Sequence, residues 1–295
     1  MMPSSPATRA ESIVAPRDNA RTKGVVAFLL IAVGGAWGVW GVAWLLGALD
    51  TSPVGQVVVA LGAFSPAVAA FVVRRWVTRE GFADAGLRLN LRRAWPWYLV
   101  AWLLPLPVVG VIVGLAWALG LPFVHPELPM ALVPAALGGS LATAPLFFSE
   151  EFGWRGYLQL RWFGDRPLLA AVLTGLVWGV FHYPLILVGF EGYENLAVGL
   201  AIFPVFTILQ SIVLGWLRQR TGSVWVSCLA HAAANGIGGS VTAYLFLGGG
   251  SFLLTSYAGV LGWIPLGAIC AWILLIGRRR AGVIGRARPA PAISS

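Results

Sequence analysis

The chain has 295 residues, of which 58% are hydrophobic and only 11% charged. A soluble domain is about a quarter charged, so the composition argues against a soluble enzyme and a disordered or fibrous chain, and for a multi-pass membrane protein. The net charge of +9 would suit a nucleic-acid binder, but the placement of the charges gives it a membrane explanation and no nucleic-acid partner is expected.

Residues 1–23 are polar and of mixed charge, and are read as a disordered tail outside the membrane. A cleavable signal peptide would begin its apolar core much earlier. From there apolar runs fall at about 25–49, 54–73, 95–121, 131–158, 168–190, 196–217, 224–248 and 253–276. Each is near the roughly 20 residues that a helical span needs. The expected fold is therefore all-α: a polytopic membrane helix bundle of about eight transmembrane helices in one domain, 24–280. Residues 281–295, rich in Arg, Ala, Pro and Ser, read as a second disordered tail.

The loops set the expected orientation. With the N-terminus inside, all 20 Lys and Arg residues fall in the two tails, at Arg278, Arg279 and Arg280, which close the last run, in 74–94, in the turns 159–167 and 218–223, or at Arg155 near the inner end of the fourth run. The opposite turns carry Asp50, Glu127, Glu191 and Glu194 and no Lys or Arg. Such sorting follows the positive-inside tendency. It predicts a cell-membrane protein with both termini cytoplasmic. Segment 74–94 then reads as a solvated loop lying on the membrane. Gly34/Gly38, Gly110/Gly114 and Gly175/Gly179 are spaced for close helix packing. Cys228 and Cys270 lie inside apolar runs and read as buried small hydrophobes.

Ionisable groups inside a bilayer are costly and few. Here they are Glu150 and Glu151 with Arg155 in the fourth run, His182 in the fifth, and His231 with Asn235 in the seventh. Residues i and i+4 share a helix face, so Glu151 is expected to pair with Arg155. Glu150 points elsewhere, without a partner in its own helix. At a rise of about 1.5 Å per residue, Glu150, His182 and His231 lie at similar depths, on a site expected to open toward the cytoplasm. Pro145 and Pro184 flank it and are placed to kink their helices. His125, in an outer turn, is given no role. A carboxylate in an apolar surround can take a proton from water, imidazoles can orient that water, and an amide can donate to an oxyanion. These are the parts of amide hydrolysis. The zinc-protease HExxH helix and the Gly-x-Ser-x-Gly elbow are absent.

These residues resemble the CPBP family of intramembrane proteases, which includes type II CAAX prenyl endopeptidases and bacteriocin-processing or immunity proteins. Its motifs are E-E-x-x-x-R, F-x-x-x-H and H-x-x-x-N on successive membrane helices. Here they read Glu150-Glu151-Phe-Gly-Trp-Arg155, Trp178-Gly-Val-Phe-His182 and His231-Ala-Ala-Ala-Asn235, within a core of about 130–240. Trp178 stands where the family usually has Phe, a swap expected only to reshape the pocket wall. The resemblance implies an intramembrane endopeptidase with Glu150 as general base and His182 orienting the water. His231 and Asn235 would form the oxyanion or supporting pair, and Glu151 with Arg155 a supporting ion pair. If zinc binds, Glu150, His182 and His231 are its implied ligands. The implied partners are the lipid bilayer and a membrane-anchored protein or peptide substrate. A non-catalytic immunity or scaffold protein of the same fold is the alternative, and a proton-coupled transporter a third reading.

Overall fold

The computed structural model describes residues 15–50, 52–193 and 195–284. Every element among them is helical. In chain order they are α1 (Ala15–Leu45), α2 (Pro53–Ala63), α3 (Ser65–Val72), α4 (Leu91–Leu103), α5 (Pro105–Ala118), α6 (Leu132–Thr143), α7 (Phe148–Gly153), α8 (Gln159–Arg161) and α9 (Pro167–Phe181). Next come α10 (Tyr183–Leu187), α11 (Leu196–Thr221), α12 (Val224–Ala233), α13 (Ser240–Phe246), α14 (Phe252–Thr255) and α15 (Val260–Ile284). Three π-helical turns, Val73–Val77, Trp154–Leu158 and Ala234–Gly239, join α3 to its loop, α7 to α8 and α12 to α13.

Among the described residues, six helices are long and apolar enough to cross a membrane, and seven if the bent pair Leu132–Thr143 and Phe148–Arg161 counts as one span. The expected stretch near 224–248 is one continuous helical path over 224–246. It is not among the six or seven because Ser227, His231, Asn235 and three glycines dilute its apolar character. The first helix begins at Ala15, so 15–23, expected as tail, is helical. The expected tail residues 1–14 and 285–295 lie outside the described residues.

Prolines end or bend helices as their missing donor requires. Pro145 falls in the break where the α6–α8 path bends by 47°. Pro184 opens α10 directly after His182, the last residue of the α9 path. Apolar side chains pack into two clusters, one including Phe28, Trp154 and Phe181, the other Phe203, Phe246 and Tyr257. Cys228 and Cys270 are both buried in this packing. Outward-facing residues such as Leu30, Val54 and Trp117 stay exposed, as a surrounding apolar solvent allows.

The three glycine pairs behave differently. At Gly175 a Cβ would lie 2.5 Å from the Ile208 Cα, and at Gly179 2.8 Å from the Pro204 Cα. These two glycines therefore let α9 close on α11, the most extensive helix contact in the fold. Gly34, Gly38, Gly110 and Gly114 have nothing within 4 Å of such an atom, so they do not serve helix packing within the chain.

Segment 74–94 is mostly exposed, yet it is pinned to the bundle rather than loose. Arg74 is fully buried. It donates to the Gly81 carbonyl at 2.8 Å and pairs with Asp84 at 2.9 Å and Glu80 at 3.1 Å. Arg161 pairs with the same two carboxylates, and Arg218 donates to the Asp84 carbonyl at 2.6 Å. The basic end of the bundle is thus capped by a folded loop that three arginines hold. Burial pushes the Asp84 carboxyl up, but its bonds to Arg161 and the charges of Arg74 and Arg161 more than offset this, leaving it below the usual range.

Gly175→Ala should destabilise the protein in detergent by about 1–3 kcal/mol, the usual cost of overpacking, whereas Gly110→Ala should leave the melting temperature unchanged. Because the folded Asp84 carboxyl sits low, its share of stability is present above the ordinary carboxylate range and lost as pH falls through the folded value. Limited proteolysis at Arg79 should therefore accelerate in acid, and Asp84→Asn should show the fast rate at neutral pH.

Candidate active site

Glu150 and Glu151 are adjacent on α7 and so point to different sides. Glu151 is fully buried and its Oε1 is shared. Arg155 Nη1 donates to it at 2.9 Å, the expected i to i+4 pair. His231 Nδ1 lies 3.0 Å from the same oxygen. A carboxylate accepts, so the proton sits on Nδ1, which leaves Nε2 free on a ring that lines the smaller cavity. Glu151 therefore orients a histidine from a different helix, a role beyond a simple ion pair. The Arg155 guanidinium also lies over the Trp178 ring, 4.6 Å from its centroid, a favourable cation–π arrangement.

Glu150 is 6% exposed. Contrary to expectation it has a partner in its own helix, the Trp154 indole, at 3.3 Å. A stronger one comes from α9: Trp178 Nε1 donates to the same Oε2 at 2.6 Å. Both indoles take Oε2, which leaves Oε1 for a water or substrate. The Trp-for-Phe swap is thus more than a reshaped wall, since Phe has no donor to give. Trp178 also accepts from His182 with its carbonyl, 2.9 Å from Nδ1. A carbonyl can only accept, so Nδ1 carries the proton and Nε2 of neutral His182 is a lone-pair acceptor.

Two cavities meet at these residues. The larger, of about 480 Å³, is walled by Glu150, His182 and Asn235 together with Ala60 and Phe64 around α2 and Thr143 and Leu146 at the α6–α7 break. The smaller, of about 200 Å³, is walled by Trp178, His182, His231 and Asn235. His182 and Asn235 belong to both. Glu150, His182, His231 and Asn235, expected at one level, are therefore brought together. Asn235 is exposed and sits on the π-helical turn, where a widened turn re-aims side chains. Glu151 and Arg155 stand behind this front as supports. His125, given no role, stacks on Tyr244.

The direction of opening differs from expectation. Neither cavity is lined by the basic loops 78–90, 162–166 or 219–223. Their outer walls come from the other end of the bundle, through Gln56, Glu191, Tyr193 and Ser256. Glu191, expected in an outer turn, lines both cavities. Gly189 and Gly192 adopt left-handed φ of 77° and 75°, which glycine tolerates, and the turn folds back inward. Glu194 lies outside the described residues. The indole donors and Glu191 were missed in the sequence. Trp154 was findable, because it stands four residues after Glu150.

The donor set can be tested against zinc. Glu150 Oε2 is already bonded within the protein, whereas the Nδ1 bonds of His182 and His231 leave each Nε2 free. Among the described residues no three His, Cys, Asp or Glu side chains are grouped so that they could hold a metal ion. The expected set of Glu150, His182 and His231 is not drawn around a common point.

Residues 129–237 match the family described as type II CAAX prenyl endopeptidase Rce1-like. The matched stretch contains Glu150, Glu151, Arg155, His182, His231 and Asn235. A search of curated proteins finds no match. By this match and the three motifs, residues 129–237 are similar to the CAAX-type intramembrane proteases.

Proposed function

We propose that the protein is an intramembrane endopeptidase that hydrolyses a peptide bond of a membrane-anchored protein or peptide. The observation that carries this reading is Glu150: a buried carboxylate with one oxygen held by two indoles, on the wall of a cavity beside His182. Glu150 Oε1 takes a proton from water while the water oxygen forms a bond to the scissile carbonyl carbon. His182 Nε2 accepts the water's second hydrogen and aims its lone pair. The carbonyl oxygen becomes an oxyanion. The Asn235 amide donates to that oxyanion, and Glu151 holds the His231 ring beside it. The carbon–nitrogen bond breaks as Glu150 returns its proton to the leaving amine.

Substrate access runs from the bilayer. Exposed apolar residues line the larger cavity between α2 and the α6–α7 break, Phe64 at 42% and Leu146 at 60% exposed. A polar wall at that position would bar a lipid-embedded chain, and an apolar one does not. With the bent pair and the path 224–246 both crossing, the chain spans the membrane eight times. Both termini then share the basic, cytoplasmic side of the cell membrane. The six site residues act from the side chains themselves, and no ion is assigned to them.

Purified protein should cleave membrane peptides, and Glu150→Gln and His182→Ala should abolish cleavage while keeping the wild-type helical signal. Cleavage persisting in both would turn the assignment to a non-catalytic member of the fold. Asn235→Ala should lower kcat by about 10²–10³-fold, as for other oxyanion donors. Trp178→Phe should lower kcat by about 10- to 100-fold, the worth of one hydrogen bond to a charged group, with KM little changed. Comparing cut ends by mass spectrometry in membranes expressing wild type or Glu150→Ala reads the first result directly. A chelator should leave the rate unchanged.

A further inference from the structure

The smaller cavity holds polar groups that the hydrolysis does not use. Glu191 makes no hydrogen bond or ion pair among the described residues, yet its carboxylate lines the cavity beside His182. Gln210, 3% exposed, has no hydrogen-bond partner among them either. The buried Ser256 hydroxyl is likewise unpaired. Buried polar groups are nearly always hydrogen-bonded, so the unpaired Gln210 and Ser256, with the half-buried Glu191 beside them, mark a place where a ligand or water supplies the partner.

The character of the walls narrows the ligand. All three groups can accept a hydrogen bond, and one is a carboxylate. The remaining walls are aromatic, with Phe203, Tyr193 and Tyr257 among them. A carboxylate inside an aromatic box is complementary to a cation, which gains the ion pair and the ring faces together. Among the described residues no Lys or Arg lines the cavity to satisfy Glu191. Burial pushes the Glu191 carboxyl up; His182 opposes this and the nearby Glu150 charge adds to it, a cost that a bound cation would relieve. The turn is built to hold it there. Tyr193 packs on Gly199, where a Cβ would lie 2.8 Å from its ring. Asn195 caps α11, accepting from the Val198 amide at 3.1 Å.

We propose that this cavity binds a cationic side chain of the substrate, an arginine or lysine next to the scissile bond, with Glu191 as its counter-ion. The inference names the substrate class of the hydrolysis proposed above and rests on that reading for its biological use. The binding site itself does not depend on it.

The test has a binding arm and a cleavage arm. In the first, the full-length protein in detergent is titrated with 1-butylguanidinium chloride, with the neutral isostere N-butylurea as control, and the melting temperature is recorded. Wild type and Glu150→Gln should be stabilised in a saturable way by the cation only. Glu191→Gln should bind it at least about tenfold more weakly, as expected for loss of a charge-assisted bond. Equal stabilisation of Glu191→Gln, or none in wild type, overturns the site. In the second arm, cut ends should show Arg or Lys enriched at one position beside the cut. The enrichment should vanish in Glu191→Gln and turn toward Asp or Glu in Glu191→Lys. Enrichment lost on acetylating the peptide amino terminus would overturn the side-chain assignment in favour of the terminus. Cleavage with no basic preference overturns the inference and leaves proteolysis standing. Saturable binding without Glu150-dependent cleavage does the reverse.

Discussion

The Glu151 carboxylate is the interaction on which the site depends. Placing an ion deep in an apolar bundle costs several kcal/mol unless it is well paired. Glu151 meets that cost with two donors on one oxygen, Arg155 from its own helix path and His231 from α12. The pairing does two things together. It ties α12 to α7, and it sets the ring of His231 on the wall of the smaller cavity with Nε2 free. Replacing any one of the three would leave a buried partner uncompensated, so the trio behaves as a unit.

Trp178 is the second joint. It touches every part of the front, with its indole on Glu150, its carbonyl on His182, its ring edge-on to His231 and its face under Arg155. One aromatic residue thereby couples four polar ones without adding a charge. Each π-helical turn carries a polar residue of consequence: Arg74, Arg155 and Asn235 in turn. An extra residue in a helical turn redirects the side chains beyond it, which explains why such turns gather at working parts of helices.

The two ends of the bundle have different tasks. The basic end is closed, with Arg74, Arg161 and Arg218 holding the 78–90 loop over it. The other end and the gap beside α2 lead into the cavities. The closed end is where charges can be satisfied by one another and by water. The open end is apolar in its walls and carries only a few polar groups inward, an arrangement suited to a chain arriving from lipid and meeting water at one point.

The sequence by itself determined the helical class, most of the membrane-crossing runs and the i to i+4 pair, because composition, run length and helix periodicity are local properties. It also identified which ionisable residues needed a reason to be buried, since there are so few of them. Only the tertiary structure decided what they face. The bond from Trp178 to Glu150 joins residues 28 apart in sequence, and that from His231 to Glu151 joins residues 80 apart. No periodicity reports such distances. The inward turn of Glu191, the burial of Arg74 and the direction of opening are likewise set by how helices pack. The charge pattern along the chain says which end is basic; the packing alone says which end is closed.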